Sequence, residues 1–342
     1  MITGAMRGTS TILTSEVVRL LGPRELVFKQ EQIDVAAIGP DDVVVATEFS
    51  AISPGTELSA YLGLPPLRPG PVYPRYQGYC NCGLVVAIGS NVKAVVVGDR
   101  VLTNAAHRSH YCIDQSGIIT NVPAGMNGAA ASVTYLFHLG YAALLRANAR
   151  KGQRVAVVGL GALGIGAIAV SRATGAEVVA ISSREQALSR SRRLGAMMTC
   201  SPEDDAVNSV DADVVISTSN SWRDWNVALR AARRGGVIAV LGFPGRGEPS
   251  PESNPLDSQY FYDKQLTLMA VGQLLDEVPG SRSPSPRLRV NMKYLVDLID
   301  TGRLPARELA GHLRPAHDLK QVYEDLLARR EDVPTYVLQW AA

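Results

Sequence analysis

The stretch RVAVVGLGALGIGAIAVSRATGAEVVAISSRE, residues 154–185, decides the fold of this 342-residue chain. Its first five residues form a β-branched run, which is typical of a buried parallel strand. Gly159, Gly161 and Gly164 follow in the pattern G-x-G-x-x-G, and then come an apolar helical segment and a second short strand. This strand–turn–helix–strand unit of about 30 residues predicts a binding site for a dinucleotide.

Each glycine of the loop has its own physical role. Gly159 makes the tight turn, Gly161 lets the backbone approach a pyrophosphate, and Gly164 lets the helix pack on the strand. The first helical turn, with Ala162 and Leu163, offers free N–H groups and the positive end of the helix dipole to phosphates. A purely structural glycine-rich turn is the alternative.

The end of the second strand, residues 177–181, indicates which dinucleotide binds. An NAD enzyme usually has Asp or Glu here, which accepts a hydrogen bond from the ribose 2′-hydroxyl. This chain has Ser182, Ser183 and Arg184, whose hydroxyl and guanidinium donors suit a dianionic 2′-phosphate. We therefore predict NADP(H) as the cofactor. Glu185 would contradict this prediction if its carboxylate turned inward.

Three further apolar runs, residues 212–218, 235–242 and 266–272, extend the predicted sheet. Each run ends in small or polar residues. In open α/β sheets the ligand lies beyond the carboxyl ends of the strands, so these ends are expected near the nicotinamide. The residues expected there are Thr218, Ser219, Gly242 and Phe243.

The N-terminal part of the chain has a different pattern. Between residues 11 and 122, short β-rich runs alternate with turns that contain Gly, Pro, Asn or Asp, which predicts a compact β-barrel. A helical stretch, residues 129–149, connects this barrel to the first strand of the dinucleotide unit. The predicted fold class is therefore α/β, with a β-barrel followed by a doubly wound parallel sheet.

This order of parts resembles the medium-chain dehydrogenase/reductase superfamily. The segment GSNVKAVVVGDRV, residues 89–101, is similar to the superfamily's strand leading into G-D-R-V, and GLGALG, residues 159–164, lies where its nucleotide loop lies. Residues 302–329 are similar to its C-terminal segment. The implied domains are a GroES-like β-barrel catalytic domain (residues 1–125), a Rossmann NADP(H)-binding domain (residues 126–275) and a C-terminal return to the catalytic domain (residues 276–342).

The resemblance also bears on metal binding. Three side chains hold the catalytic zinc in the zinc alcohol dehydrogenases of this superfamily, and the matching positions here are Ser53, Tyr79 and Tyr135. The four closely spaced cysteines of the superfamily's structural zinc lobe are missing from the sequence as well. We therefore interpret GYCNCG, with Cys80 and Cys82, as a zinc site that has lost its ligands, and predict that no zinc binds. The motifs SPGTE and GYCNCG are similar to a zinc-less biosynthetic branch of the superfamily.

Without a metal, hydrogen-bond donors or a general acid must stabilise the alkoxide that develops when a carbonyl is reduced. The candidate catalytic donors are Tyr79, Tyr135 and His107, and a wall of the substrate pocket is the alternative role for each. His107 follows the GDRV strand, so its side chain is expected to border the cleft. The predicted substrate-binding residues are Ser53, Thr56, Glu57 and His138. A surface loop is the alternative for Glu57, and helix packing is the alternative for His138.

Composition and charge narrow the possible partners. The net charge of +2 argues against a broad nucleic-acid or membrane-binding face. Four cysteines do not make a disulfide framework in a chain of this length, so we expect a cytoplasmic protein with Cys82 and Cys112 buried as small apolar residues. No uninterrupted apolar run reaches the roughly 18 residues of a membrane span. The first ten residues lack the apolar region of a secretory signal.

The leading functional hypothesis is a zinc-independent, NADPH-dependent oxidoreductase. It would transfer hydride to or from a carbonyl or alcohol group of a small polar biosynthetic intermediate. One alternative is a reductase of an activated C=C or C=N bond, and another is a non-catalytic NADPH-binding protein. The superfamily resemblance further implies a homodimer that forms through the sheet edge at residues 266–272.

Overall fold

Three β-sheets organise the chain in this computed structural model, which describes residues 11–65, 71–272, 276 and 283–340. The prediction for the first ten residues lies outside these ranges. The strands are β1 (Ile12–Leu20), β2 (Leu26–Asp34), β3 (Asp42–Ala51), β4 (Arg75–Tyr76), β5 (Cys80–Ile88), β6 (Arg100–Thr103), β7 (His110–Asp114), β8 (Ile118–Asn121), β9 (Arg154–Val158), β10 (Glu177–Ile181), β11 (Met198–Cys200), β12 (Ala212–Ser217), β13 (Ala232–Val240), β14 (Thr267–Ala270), β15 (Leu313–Pro315) and β16 (Val337–Gln339). The α-helices are α1 (Pro54–Tyr61), α2 (Gly128–Ser132), α3 (Thr134–Arg146), α4 (Ala162–Ala173), α5 (Glu185–Arg193), α6 (Trp222–Ala231), α7 (Pro286–Asp300), α8 (Arg307–Ala310) and α9 (Leu319–Ala328).

Six parallel strands form the dinucleotide half, in the order β11-β10-β9-β12-β13-β14. The bounds that the sequence predicts for β9 and β10 agree with the structure residue for residue. Val155 and Val157 in β9 are fully buried, as a strand covered on both faces must be. Strand order reverses beside β9, so a crevice opens at the carboxyl ends of β9, β10 and β12. The predicted doubly wound parallel sheet is thus confirmed.

The apolar helical stretch Gly128–Arg146 lies inside the protein. By length and composition alone it is able to cross a membrane, but 72% of its apolar window is buried in the fold. Its larger part, α3, packs closely against α4: a Cβ atom on Gly140 would lie only 2.7 Å from the Cα of Ala167. Packing in the core therefore accounts for the hydrophobicity of this stretch.

The barrel half is a seven-stranded sheet in the order β15-β16-β3-β5-β6-β8, in which β7 also pairs with β3. Strand β16 runs antiparallel to β3, with Val337 opposite Ala51, so the C-terminal segment returns to the N-terminal sheet. A smaller sheet, β2-β1-β4, completes this half. The predicted barrel is confirmed, whereas the domain boundaries at residues 125 and 275 stay predictions.

The cysteines of the barrel differ in burial. Cys80 and Cys82, two residues apart on β5, lie in one hydrophobic cluster, as residues on the same face of a strand do. Cys82 is fully buried, as predicted. The prediction that Cys112 is buried is wrong, because the alternation along β7 turns Tyr111 into the core and Cys112 to the surface.

Candidate active site

A cleft of about 350 Å³ opens at the carboxyl ends of β9, β10 and β12, and both halves of the chain line it. From the parallel sheet it is lined by Gly159, Leu160, Gly161, Ala162, Leu163, Ser182, Ser183, Arg184, Thr218, Ser219 and Asp224. From the barrel half and the C-terminal segment it is lined by Pro54, Gly55, Leu58, Leu326, Arg329, Val333 and Pro334. The sequence analysis missed the second group because these residues belong to no nucleotide motif.

The glycine loop has the geometry that a bound pyrophosphate needs. Gly159 has a φ of +87°, which L side chains rarely adopt. A Cβ on Gly164 would lie 1.9 Å from the carbonyl oxygen of Gly159, so this glycine serves packing and does not line the cleft. A Cβ on Gly161 would meet nothing within 4 Å, because this glycine faces the open cleft. Gly161 is also the N-cap of α4 and provides no capping side chain, so the first N–H groups of α4 are available to phosphates.

The predicted ribose-binding residues lie at the end of β10. Ser182, Ser183 and Arg184 all line the cleft. Arg184 Nη2 donates a hydrogen bond of 2.6 Å to the carbonyl oxygen of Leu160, which holds the guanidinium across the glycine loop. The Glu185 carboxylate does not turn inward, since it pairs with Arg192 at 2.6 Å and is 72% exposed.

The four residues predicted near the nicotinamide separate into two pairs. Thr218 and Ser219 line the cleft, and Thr218 Oγ1 donates to the carbonyl oxygen of Gly159 at 2.6 Å. Gly242 instead packs against the backbone of Ser219, since a Cβ atom on Gly242 would lie 2.2 Å from the Ser219 carbonyl oxygen. Phe243 is exposed at the surface. Gly242 and Phe243 are therefore not among the residues that line the cleft.

The three residues at the zinc-ligand positions contact one another, but none of them is among the residues that line the cleft. The Tyr79 hydroxyl donates to Ser53 Oγ at 2.6 Å. The Tyr79 and Tyr135 ring centroids are 5.3 Å apart and the rings meet edge to face. Burial raises the pKa of the Tyr79 phenol well beyond its usual range, although hydrogen bonds to Ser53 and Thr56 oppose this rise. Tyr79 therefore stays protonated and can donate a hydrogen bond at neutral pH.

His107 does not border the cleft. Its imidazole is fully buried and packs against Gly78. A Cβ atom on Gly78 would lie 2.6 Å from the ring. Nδ1 lies 2.8 Å from Ser50 Oγ, and Nε2 lies 2.9 Å from Glu57 Oε2. The expected position of His107 is therefore wrong, because both ring nitrogens are already bonded inside the protein and neither reaches a substrate.

Glu57 is the centre of this buried network. It is only 1% exposed, so the surface-loop alternative is wrong. Oε1 accepts a 2.7 Å hydrogen bond from the backbone N–H of Ser53 at the start of α1. Oε2 accepts from the Tyr323 hydroxyl at 2.6 Å in addition to its contact with His107. Both carboxylate oxygens are thus occupied by donors of the protein itself, one of them the backbone at the start of α1, and a substrate contact of Glu57 stays a prediction.

One arrangement of protons satisfies the whole network. Trp340 Nε1 donates to Ser50 Oγ at 2.8 Å, so the Ser50 hydroxyl proton is free to point at His107 Nδ1. With His107 as the tautomer protonated on Nε2, this nitrogen donates to Glu57 Oε2. We name Ser50, Glu57, His107, Tyr323 and Trp340 the Glu57 network. Its members are all buried, and the sequence analysis identified only Glu57 and His107 among them.

His138 lies on α3, one turn after Tyr135, and is only 2% exposed. Its ring centroid is 5.5 Å from that of Tyr135, and Nε2 lies 3.3 Å from Asn291 Nδ2. Burial lowers the pKa of His138 to about 4, so the ring is neutral at physiological pH. The ring packs against Tyr135, but Nδ1 is buried without a hydrogen-bond partner among the described residues, so His138 is not the fully bonded helix histidine of the alternative interpretation. Thr56, in contrast, is half-buried beside the Tyr79 hydroxyl.

The described residues contain no group of three or more His, Cys, Asp or Glu side chains that could hold one metal ion. At the positions of the superfamily's catalytic ligands, the donors are one hydroxyl and two phenols. Burial also raises the pKa of the Cys80 and Cys82 thiols, which opposes formation of the thiolates that zinc prefers.

Two family descriptions match the sequence. The alcohol dehydrogenase GroES-like domain matches residues 39–146, and the zinc-binding dehydrogenase family matches residues 162–277. Among curated proteins, L-galactonate-5-dehydrogenase of Escherichia coli K12 is 25% identical over 93% of this chain and 97% of its own. NADP-dependent alcohol dehydrogenase C 1 of Mycolicibacterium smegmatis is 27% identical over 61% of this chain and 71% of its own.

The solved structures include the same fold. L-idonate 5-dehydrogenase from Escherichia coli superposes with a TM-score of 0.77 over 96% of this chain and 99% of its own, at 15% identity. The two family matches cover more than half of the chain, in the order barrel and then dinucleotide domain. The chain therefore belongs to the medium-chain dehydrogenase/reductase superfamily, whose members include the zinc-type alcohol dehydrogenases.

Proposed function

We propose that the protein is an NADP(H)-dependent oxidoreductase that works without zinc. It transfers hydride to or from a carbonyl or alcohol group of a small polar biosynthetic intermediate in the cytoplasm. The observation that carries this proposal is the cluster of Ser53, Tyr79 and Tyr135, which puts a protonated phenol where relatives of this superfamily hold their metal. Relatives named for alcohols and for the sugar acid L-galactonate support an alcohol or carbonyl substrate.

The residues of the cleft fit the cofactor in two places. The free N–H groups at the start of α4 suit the pyrophosphate, and the open space over Gly161 leaves room for it. The hydroxyls of Ser182 and Ser183 and the Arg184 guanidinium suit a 2′-phosphate. Bound NADPH supplies the hydride, and this chain's residues position it and manage the proton.

The donors at the ligand positions do not suit zinc. Structural and catalytic zinc ions are bound by thiolates, imidazoles and carboxylates. Here Ser53 and the neutral Tyr79 phenol already bond to each other, and the Glu57 carboxylate is occupied by three donors. The uncharged donors at the ligand positions and the occupied carboxylate beside them support the proposal that catalysis proceeds without a metal.

Tyr79 has the properties of a group that could polarise the carbonyl in place of a zinc ion. When hydride adds to a carbonyl carbon, the π electron pair moves onto the oxygen, and a hydrogen-bond donor is needed there. The Tyr79 hydroxyl, which in this structure donates to Ser53 Oγ, transfers its proton to that oxygen, and solvent water returns a proton to the phenolate. Glu57 fixes this pair indirectly, because it holds the Ser53 backbone N–H at 2.7 Å. In the alcohol-oxidising direction the same steps run in reverse.

We also propose that the protein forms a homodimer. Strand β14 is the outer strand of the six-stranded sheet, and it leaves one row of backbone groups available for a second copy. The small polar substrate is the other proposed partner, with no role for nucleic acid or a membrane.

The test combines a turnover screen with metal analysis. Purified protein is assayed with NADPH and NADH against ketones, aldehydes, activated alkenes and imines, and with NADP⁺ against polyols. We expect carbonyl or alcohol turnover with NADPH preferred, and no stoichiometric zinc by elemental analysis. Arg184→Ala should raise the NADPH dissociation constant about ten- to a hundredfold and change NADH binding little.

Three results would contradict parts of this proposal. About one zinc per chain, with activity lost on chelation, rules out the zinc-free mechanism. Reduction confined to C=C or C=N bonds rules out the carbonyl reaction, and NADPH binding without turnover on any substrate favours a non-catalytic protein.

A further inference from the structure

A second cavity of about 340 Å³ lies just outside the adenosine end of the cleft. It is lined by Arg184, Glu185, Gln186, Arg329, Glu331 and Asp332. Arg184 and Arg329 also line the main cleft, so these two arginines lie where the two cavities meet. In the proposed binding mode of NADP(H), the adenosine ribose lies at the end of β10. A group attached to this ribose therefore enters the space where the two cavities meet.

The acids of the cavity do not neutralise both arginines. Each acid has an arginine partner of its own: Glu185 with Arg192 at 2.6 Å, Glu331 with Arg314 at 2.6 Å, and Asp332 with Arg190 at 3.1 Å. Arg184 shares Asp332 only at a longer distance of 3.6 Å. Within the described part of the chain, Arg329 makes no ion pair. The junction therefore carries positive charge that a bound anion would balance.

The position of Arg329 is unusual for its residue type. It ends α9 in the left-handed conformation, with φ 50° and ψ 43°. Helices that end this way usually have Gly or Asn, because other side chains are strained there, so the backbone alone does not account for an arginine. Burial lowers the pKa of the Arg184 guanidinium, and the charge of the nearby Arg329 lowers it further. Two guanidinium groups thus lie close enough to affect each other, and the carboxylate of Asp332 reaches Arg184 at 3.6 Å.

We propose that Arg329 is a second arginine for the 2′-phosphate of NADP(H), and that the phosphate replaces the Asp332 contact of Arg184. This inference rests on the proposed use of NADP(H). Arg184 comes from the parallel sheet, whereas Arg329 comes from the C-terminal segment that returns to the barrel. Selectivity for the phosphorylated cofactor then depends on a residue from each half, and the 2′-phosphate joins them across the cleft.

The experiment compares wild type, Arg329→Ala, Arg329→Gln and Arg330→Ala. Arg330 is the matched control, since it follows Arg329 directly but pairs with Asp325 at 3.0 Å. Isothermal titration measures dissociation constants for NADPH, NADH, adenosine 2′,5′-bisphosphate (2′,5′-ADP) and 5′-AMP. The two adenosine probes differ only in the 2′-phosphate and do not reach the catalytic residues.

We expect both Arg329 variants to bind NADPH and 2′,5′-ADP about tenfold more weakly or worse, because a charge-assisted contact is lost. The dissociation constants of NADH and 5′-AMP should change by less than about twofold, and Arg330→Ala should match wild type for all four ligands. Melting temperatures identify any variant that is misfolded, and the Gln variant keeps most of the side chain's volume.

The outcomes separate this inference from the proposed cofactor. If wild type binds NADH as tightly as NADPH, the cofactor proposal is wrong and the inference fails with it. If wild type prefers NADPH but Arg329→Ala weakens NADPH and NADH equally, or weakens neither, only the role of Arg329 is overturned.

Discussion

The glycine loop of residues 159–164 lines the cleft, whereas the Glu57 network is buried inside the barrel half, and the two are built in opposite ways. The loop presents backbone N–H groups, and its glycines matter because they lack side chains. The network is made of buried polar side chains, each of which has a partner. Added side-chain atoms should weaken the packing or the ligand binding of such a loop. A buried network is instead destabilised when one of its hydrogen-bond partners is removed.

This difference suggests how function is divided. In the proposed function, the glycine loop binds the cofactor through main-chain geometry, and the Glu57 network holds Ser53, the partner of the proposed proton donor Tyr79. Variants that remove a single polar atom should therefore affect rate or stability on the barrel side. Variants that add a single methyl group should affect cofactor affinity or packing on the loop side.

The largest expected effect is on Tyr79. Tyr79→Phe keeps the ring against Tyr135 but removes the hydroxyl that stabilises the developing oxyanion, so kcat should fall about 10²- to 10⁴-fold with NADPH affinity unchanged. Steady-state kinetics and cofactor titration measure the two effects separately. The matched control is Tyr76→Phe, an exposed tyrosine of β4, which should leave kcat unchanged.

A Tyr79→Phe enzyme that keeps kcat within about fivefold would break the proposed division, since general acids usually contribute far more. Proton transfer would then run through water. Tyr135→Phe would be the next variant to examine, whereas His107→Ala should act through the network and reduce stability.

Glu57 gives the next effect in size. Glu57→Gln replaces one carboxylate oxygen with an NH₂ group, which is itself a donor. In either orientation of the amide, this NH₂ group faces another donor, the Ser53 backbone N–H or the Tyr323 hydroxyl. One buried hydrogen bond is lost, so the free energy of unfolding should fall by about 1–3 kcal/mol. The value of kcat should fall too, because Ser53 is no longer fixed beside Tyr79. Chemical denaturation and kinetics provide the two measurements.

The control for Glu57 is a carboxylate that is paired but exposed. Glu177→Gln removes a surface ion pair with Arg154 at 3.6 Å, which should change the free energy of unfolding by less than about 1 kcal/mol. Equal losses in Glu57→Gln and Glu177→Gln would show that burial of the network contributes little, and the comparison with the loop would lose its basis.

The two sides also differ in how far the sequence predicts them. The loop is local: Gly159, Gly161 and Gly164 lie within six residues, and the strands β9 and β10 that hold them have clear β-branched patterns. Backbone requirements at such short range appear directly in residue type. The predicted bounds of both strands are correct for this reason.

The Glu57 network is not local. Tyr323 is 266 residues away from Glu57 along the chain, and Trp340 is 290 residues away from Ser50. No spacing pattern connects residues that meet only after β16 pairs with β3. His107 could be identified as a functional candidate from its chemistry, but its burial depends on this pairing and on the space left by Gly78. Arg329 was missed because α9 ends with no nucleotide motif.

The smallest expected effect is that of Gly161→Ala, which distinguishes cofactor binding from internal packing within the glycine loop. Gly161 has an ordinary negative φ of −81° at the start of α4, and a Cβ there meets nothing within 4 Å. Gly161→Ala should therefore change the free energy of unfolding by less than about 1 kcal/mol, the usual range for N-cap changes of this kind. The added methyl group projects into the cleft where the pyrophosphate approaches, so NADPH should bind about fivefold more weakly.

Gly164→Ala is the matched control, because it adds the same methyl group three residues later. Its Cβ would lie 1.9 Å from the Gly159 carbonyl oxygen, so the loop or α4 must shift, and overpacking of this kind costs about 1–3 kcal/mol of stability. Thermal denaturation and NADPH titration of both variants test this contrast. If Gly161→Ala proves as unstable as Gly164→Ala while NADPH affinity is unchanged, the open face of the loop is not where the pyrophosphate binds. If Gly161→Ala keeps its stability but binds NADPH more weakly, the cofactor binds at the open face of the loop. The added methyl group contacts nothing in the protein, so only a molecule bound in the cleft would be affected by it.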